Sequence, residues 1–300
     1  MQVQGIVVPL ITPLTDDECI DSRGLQRLIE HMINADIDGI FVAGTTGEYS
    51  RLSPQQRHSL FAQAAEFASG RITVYAGVTD SGFRAVRSHI EAAKAAGVDC
   101  CVAGLPYYFP VHDDDEAYAW FAKLIDSSPL PVLLYDIPSH AQAALSPAVV
   151  ARLASAVAGV KDSSGDPSKI KEFMAALGGN RRQAAYLSGS EELTRLAVAQ
   201  GADGMVPSLG NVIPRLLSTL WQRRHDPQEL DRLASIMDDI NHLNQRYKGS
   251  VAGIAWKKRV LALQGICSDA LSLPATPVPK SDDAYLLQQV ERAAAALDAP

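Results

Sequence analysis

Cysteine is scarce in this 300-residue chain: Cys19, Cys100, Cys101 and Cys267 are the whole supply, and no two form a C-x-x-C pair. That excludes a dithiol redox motif, and adjacent Cys100-Cys101 would make an awkward bridge. A reducing compartment and no structural metal are expected. No apolar run reaches the roughly 20 residues that span a bilayer, so no membrane partner is expected. The N-terminus lacks a basic stretch followed by an apolar one. No signal peptide is therefore expected, and the chain reads as cytoplasmic. Basic runs are missing too. With a formal net charge of −7 and no basic stripe interleaved with aromatics, nothing recommends a nucleic-acid partner. The short clusters Arg181-Arg182, Arg223-Arg224 and Lys257-Lys258-Arg259 read as solvated helix faces or helix ends.

What the chain does have is apolar residues, 47% against 20% charged, enough for a large core. They are arranged in alternation. Strand-like runs begin at Gly5, Gly39, Ile72, Val98, Pro131, Val157, Ala184 and Gly204, and each is followed by a helical pattern. In the first of these, Leu25, Leu28, Ile29 and Met32 fall at i, i+3, i+4 and i+7. Ser53-Pro54 and Ser146-Pro147 each offer an N-cap followed by proline at the first helical position. Such alternation argues for a parallel sheet with helices outside it. Eight repeats within about 220 residues favour closure, giving a (β/α)8 TIM barrel. An open, doubly wound sheet is the alternative. The Gly44-Thr45-Thr46-Gly47-Glu48 segment, however, has neither the dinucleotide fingerprint nor the P-loop spacing. Residues 1–224 are therefore read as the barrel and 225–300 as a C-terminal helical extension. In the extension Leu230, Leu233, Ile236 and Ile240 share a face, a helix is expected over Val251 to Leu263, a proline-rich connector follows from Ser272, and a last helix runs from Ala284 to Leu297.

In this architecture chemistry sits at the C-terminal ends of the strands. Those positions hold Gly44–Glu48, Pro106-Tyr107-Tyr108, Tyr135 through His140, Lys161-Asp162, Ser188 through Glu191 and Pro207 through Asn211. One amine and several hydroxyls converge, without a Ser-His-Asp arrangement or a metal cage. His112-Asp113-Asp114-Asp115-Glu116 reads as the acidic start of a helix and not as a metal site. A lysine closing a strand can sit in solvent, make an ion pair or face a cavity. In a cavity it loses affinity for its proton, and the neutral amine can attack a ketone and form an iminium. Tyr135, one strand away, is the natural proton shuttle, or else a core residue at the strand end. Thr45-Thr46 can hold a carboxylate in a nest of backbone N–H groups, or form an ordinary turn.

The segments GTTGE at 44–48, PYY at 106–108, YDIP at 135–138, VKDSSGD at 160–166 and GADGMVPSLGNV at 201–212 together resemble the dihydrodipicolinate synthase / N-acetylneuraminate lyase family of pyruvate-dependent class I aldolases. The resemblance spans nearly the whole chain. It implies that Lys161 forms a Schiff base with C2 of pyruvate or a related 2-oxo acid. Tyr135 is then the proton relay, Thr45 joins it, and Thr46 binds the substrate carboxylate. Tyr108 matches a tyrosine that reaches into a neighbouring subunit's site. Val206 matches a position whose backbone lines the pyruvate pocket, and Gly189 a glycine of its wall. No cofactor is implied, because the lysine is itself the electron sink, and a homo-oligomer, dimer or tetramer, is expected. The family's synthases typically carry an arginine two residues past the Y-x-x-P proline to grip the second substrate's carboxylate. Here that residue is His140, which also faces the second substrate in this reading. The expectation is therefore an aldolase or dehydratase that is not a true synthase. A genuine 4-hydroxy-tetrahydrodipicolinate synthase and a non-catalytic keto-acid-binding or regulatory barrel are the alternatives.

Overall fold

A computed structural model of the chain describes residues 3–248 and 253–298. Eight parallel strands close a barrel in sequence order. They are β1 (Gly5–Pro9), β2 (Gly39–Val42), β3 (Thr73–Gly77), β4 (Cys100–Gly104), β5 (Val132–Asp136), β6 (Gly159–Asp162), β7 (Ala185–Ser188) and β8 (Gly204–Met205). At least one helix follows each strand. This is the (β/α)8 architecture expected from the alternation, with further helices after the last repeat. Among the described residues no helix is long and apolar enough to cross a membrane.

By density of contacts the chain forms two compact units, Met1–Val7 with Val74–Pro207, and Val8–Thr73 with Ser208–Pro300. The first holds the continuous ladder from β3 to β8, and β8 also pairs with β1 through Gly5↔Gly204 and Ile6↔Met205. Its strands are buried on both faces, which explains why they read as near-continuous apolar runs and not as alternating ones. The second unit holds β2 and the helices Ser22–Ile33, Pro54–Ala68, Pro214–Arg223, Pro227–Arg246, Ile254–Leu263 and Asp283–Asp298. Ser53 caps its helix through a reciprocal capping box with Gln56, as the Ser-Pro pattern implies. Asp113 does the same work for Asp114–Ser127, its Oδ1 accepting from the N–H groups of Asp115 and Glu116 at 3.0 and 2.9 Å.

Three details differ from the sequence reading. A short helix, Pro138–Ala141, follows β5 at once, because Pro138 presets the first helical φ and Gln142 stops the turn in the left-handed region. The buried face of Pro227–Arg246 is centred on Leu233, Ala234, Met237 and Ile240, leaving Leu230 and Ile236 half-buried. The third is a correction: Lys257 and Lys258 are fully buried in Ile254–Leu263 instead of solvated. The Lys257 amine donates to Gly253 O at 3.3 Å and to Asn244 Oδ1 at 2.5 Å, and Lys258 lies 2.6 Å from a buried carboxylate, Glu48. Partners within the fold thus replace the water that a charged helix face normally needs. Arg223 keeps the expected solvated setting at a helix end, whereas the Arg181 and Arg182 side chains, and the expected helix start at Val251, lie outside the described residues.

Gly159 opens β6 with φ of 150°, and a Cβ there would lie 2.1 Å from the Ala185 carbonyl oxygen of β7. Backbone cannot yield as a flexible side chain can. Gly159→Ala should therefore lose about 3 kcal/mol in chemical denaturation. A loss inside roughly 0.5 kcal/mol, the scale of an ordinary surface change, would contradict this account of the β6–β7 contact.

Candidate active site

Parallel pairing sets β5 beside β6 with Tyr135 opposite Lys161 and Asp136 opposite Asp162. Side chains alternate along a strand, so Tyr135 and Lys161 project from one face and the two aspartates from the other. The Lys161 amine lies 3.4 Å from the centroid of the Tyr135 ring and 3.1 Å from Ser163 Oγ. Both side chains are out of water: Lys161 is 4% exposed and Tyr135 6%. Burial is the dominant influence on the amine and pulls its pKa below the usual lysine range. Contact with Tyr135, and the charges of Glu191 and Asp162, oppose that shift without cancelling it. The balance leaves an amine that can exist unprotonated beside a phenol able to carry protons.

The opposite face of these strands holds the amine's supports. Tyr186 donates its hydroxyl to Asp162 Oδ2 at 2.9 Å, and burial first, then Asp162, pushes the phenol's pKa up. Lys169 of the helix Pro167–Leu177 pairs with Asp136 Oδ2 at 2.6 Å, and the other Asp136 oxygen accepts from the Leu145 N–H at 2.8 Å. The chain leaving β5 is thereby tied back at Leu145. Desolvation raises the Asp136 pKa while the hydrogen bond from Lys169 opposes it.

His140 rides on that tied segment. It is exposed, and its Nδ1 lies 2.9 Å from Ser139 Oγ. Partial burial, then the charge of Lys161, lower its pKa, so the ring stands within electrostatic reach of the amine and stays uncharged at neutral pH. Gly189 N–H donates to Asp162 O at 2.6 Å, and a Cβ on Gly189 would lie 2.1 Å from Ser163 Oγ. Glycine at 189 therefore makes room for the hydroxyl that meets the amine. Val206 is buried, and its N–H donates to Ser188 O at 2.7 Å, on the strand next to Lys161.

Two further expected groups have surroundings of their own. Tyr108 is 75% exposed with φ of 75°, and its ring meets Phe109 edge-on at 5.0 Å. Thr45 and Thr46 belong to the other compact unit. There they are half-buried in a tight turn, Gly47 N–H bonding Gly44 O at 3.0 Å and Glu48 N–H bonding Thr45 O at 3.1 Å. Sequence reasoning gave Ser163 no role and named Glu191 only among the strand-end positions. The signal for Ser163 was there, since a residue two beyond Lys161 on an extended strand shares its face. Glu191 follows a loop and a turn, and no periodicity announces its influence on the amine. Among the described residues no three His, Cys, Asp or Glu side chains gather as a metal site.

A sequence profile of the Dihydrodipicolinate synthetase family matches residues 2–293. The 4-hydroxy-tetrahydrodipicolinate synthase of Corynebacterium aurimucosum is 30% identical over 291 residues, covering 95% of this chain and 93% of its own. Among solved structures, a dihydrodipicolinate synthase from Bacteroides thetaiotaomicron superposes with a TM-score of 0.91 at 31% identity, over 96% of this chain and 98% of that one. YagE, a prophage protein of the dihydrodipicolinic acid synthase family from E. coli K12 solved with pyruvate, superposes with a TM-score of 0.89 at 26% identity, over 98% and 99%.

The direction of the Lys161 shift makes a prediction about stability. A folded-state pKa below the unfolded value means that the unfolded chain holds the proton more tightly. The stability penalty is full below the folded pKa and vanishes as pH rises past the unfolded value of 10.5. Lys161→Met, which cannot titrate, should therefore unfold at a higher temperature than the wild type at pH 7, with the gap narrowing as pH approaches 10. A gap that is constant or widens with pH contradicts a depressed amine.

Proposed function

The chain belongs to the dihydrodipicolinate synthetase family and is a lyase of the pyruvate-dependent class I aldolase type, and from that premise we propose that Lys161 is the Schiff-base lysine of an aldolase or dehydratase acting on pyruvate or a related 2-oxo acid. The observation that carries this reading is the buried amine set 3.4 Å from the Tyr135 ring. The neutral amine attacks C2 of the 2-oxo acid, water leaves, and an iminium forms. That cation acidifies the C3–H bonds. Tyr135, with Thr45, carries the proton away, leaving an enamine. The enamine carbon adds to an aldehyde, or the same species arises by retro-aldol cleavage or precedes loss of a β-hydroxyl. Hydrolysis of the iminium then frees the lysine.

In this reading Thr46 grips the substrate carboxylate, Gly189 and the Val206 backbone line the pocket, and Tyr108, exposed on one chain, completes the site of a neighbouring subunit in a homo-oligomer. His140 meets the second substrate. An uncharged imidazole lacks the bidentate fork that an arginine offers a carboxylate, and Glu191 adds a negative charge nearby. Both features favour a second substrate without a carboxylate, and so an enzyme other than a true synthase. The relatives named as synthases favour the alternative, and aspartate semialdehyde is the discriminating substrate.

Incubation with pyruvate and borohydride should leave a reduced adduct on Lys161, located by peptide mass mapping and absent from Lys161→Ala. Wild-type protein that gives no adduct with any small 2-oxo acid overturns the proposal. Tyr135→Phe should slow adduct formation by about 10²–10³-fold. Condensation with aspartate semialdehyde should be poor, and turnover at the rate of a dedicated synthase would refute the role given to His140.

A further inference from the structure

Glu48 closes the Gly44–Glu48 turn and is itself buried and strained. Its φ is 56°, a left-handed value that a residue with a Cβ adopts only under constraint, and Ala43 at the other end of the turn has φ of 50°. The constraint on Glu48 comes from far along the chain. Its Oε1 lies 2.6 Å from the Lys258 amine, with the two side chains 1% and 0% exposed. Its Oε2 accepts from both the hydroxyl and the N–H of Ser272, at 2.5 and 3.3 Å. Lys258 also donates to Ala270 O at 2.8 Å, and Arg51, just past the turn, donates to Ser272 O at 3.0 Å. From the upstream side, Thr12 Oγ1 donates to Gly47 O at 2.7 Å. All of these groups lie within one compact unit.

A charged pair this deep is a poor device for stability alone, since burying both ions offsets most of their attraction. It is a good device for fixing geometry, because neither ion tolerates separation from its partner. Between Ala43 and Glu48 lie Thr45 and Thr46. We propose that Glu48 and Lys258 are positioning residues: their ion pair, seated by Ser272, holds the Gly44–Glu48 turn in its strained shape and so sets the affinity of the Thr45–Thr46 pair for the carboxylate of the 2-oxo acid. This rests on the assignment of that turn to substrate binding. The helix Ile254–Leu263 thus acts on the chemistry without touching the substrate.

The test uses hydrogen–deuterium exchange at the pyruvate methyl group, followed by NMR in D2O, because exchange reports iminium and enamine formation without the second substrate. Lys258→Met should raise KM for exchange by about tenfold, the change expected when a left-handed residue is released, while the maximal rate stays within about threefold of wild type. Leu243→Ala in Pro227–Arg246, fully buried on a helix that supplies no partner to Glu48 or Lys258 among the contacts above, is the stability control. Both variants should melt about 5–10 °C below wild type, but Leu243→Ala should keep the wild-type KM. Should Lys258→Met not fold, Glu48→Gln with Lys258→Met leaves no unpaired buried charge. It should recover most of the melting temperature and retain the raised KM. A KM for Lys258→Met no higher than that of Leu243→Ala, or a double variant whose KM returns along with its stability, overturns the inference. Wild-type protein that exchanges no methyl protons and forms no borohydride adduct sinks the substrate assignment instead, and the inference with it.

Discussion

Taking an ammonium group out of water is among the most unfavourable steps a fold can enforce, and the proposed chemistry of this chain depends on that step at Lys161. A solvated lysine keeps its proton at neutral pH and is no nucleophile. The fold shelters the amine by closing strands around it and gives it a ring face and a hydroxyl in place of water. Parallel register puts Tyr135 opposite Lys161, and a glycine at 189 lets Ser163 approach. Each is a backbone feature, so the site's precision derives from the sheet and not from flexible side chains.

The same physics recurs at two other points. Buried Asp136 pairs with half-buried Lys169 and accepts from the Leu145 N–H, which ties the segment carrying His140 back onto β5. Glu48 and Lys258 form a deeper pair that ties the Thr45–Thr46 turn to a helix more than two hundred residues away in sequence. In both, a buried ion is neutralised by an ion on another element, and a loop between rigid elements is thereby fixed. A site assembled from loops gains the order of a scaffold in this way. The proposed reading therefore divides labour: one buried lysine, set against a ring and a hydroxyl, reacts, while others, set against carboxylates, hold shape.

The fold was legible because its signal is periodic. Eight apolar runs separated by helical patterns admit few arrangements, and the Ser-Pro and acidic helix starts appear in the structure where the sequence puts them. The Lys161–Tyr135 pairing was legible for the same reason, since both residues close strands that are neighbours in order. What escaped was set by tertiary contact. Lys257-Lys258-Arg259 looks like a solvated face because a helix's charge pattern does not name distant partners, and Glu48 is remote in sequence. Glu191 acts on the amine through space and not along a strand. The short helix at Pro138 depends on a local turn that periodicity cannot register.

Selective isotope labelling of lysine side chains allows the Lys161 amine to be followed by NMR through a pH titration, its resonance assigned by its disappearance in Lys161→Met. The account predicts a midpoint below lysine's ordinary value of 10.5, and one that rises toward it when the chain is unfolded in urea. A midpoint at or above the ordinary value in the folded protein would mean that the amine stays charged and solvated, and that it is not the nucleophile proposed here.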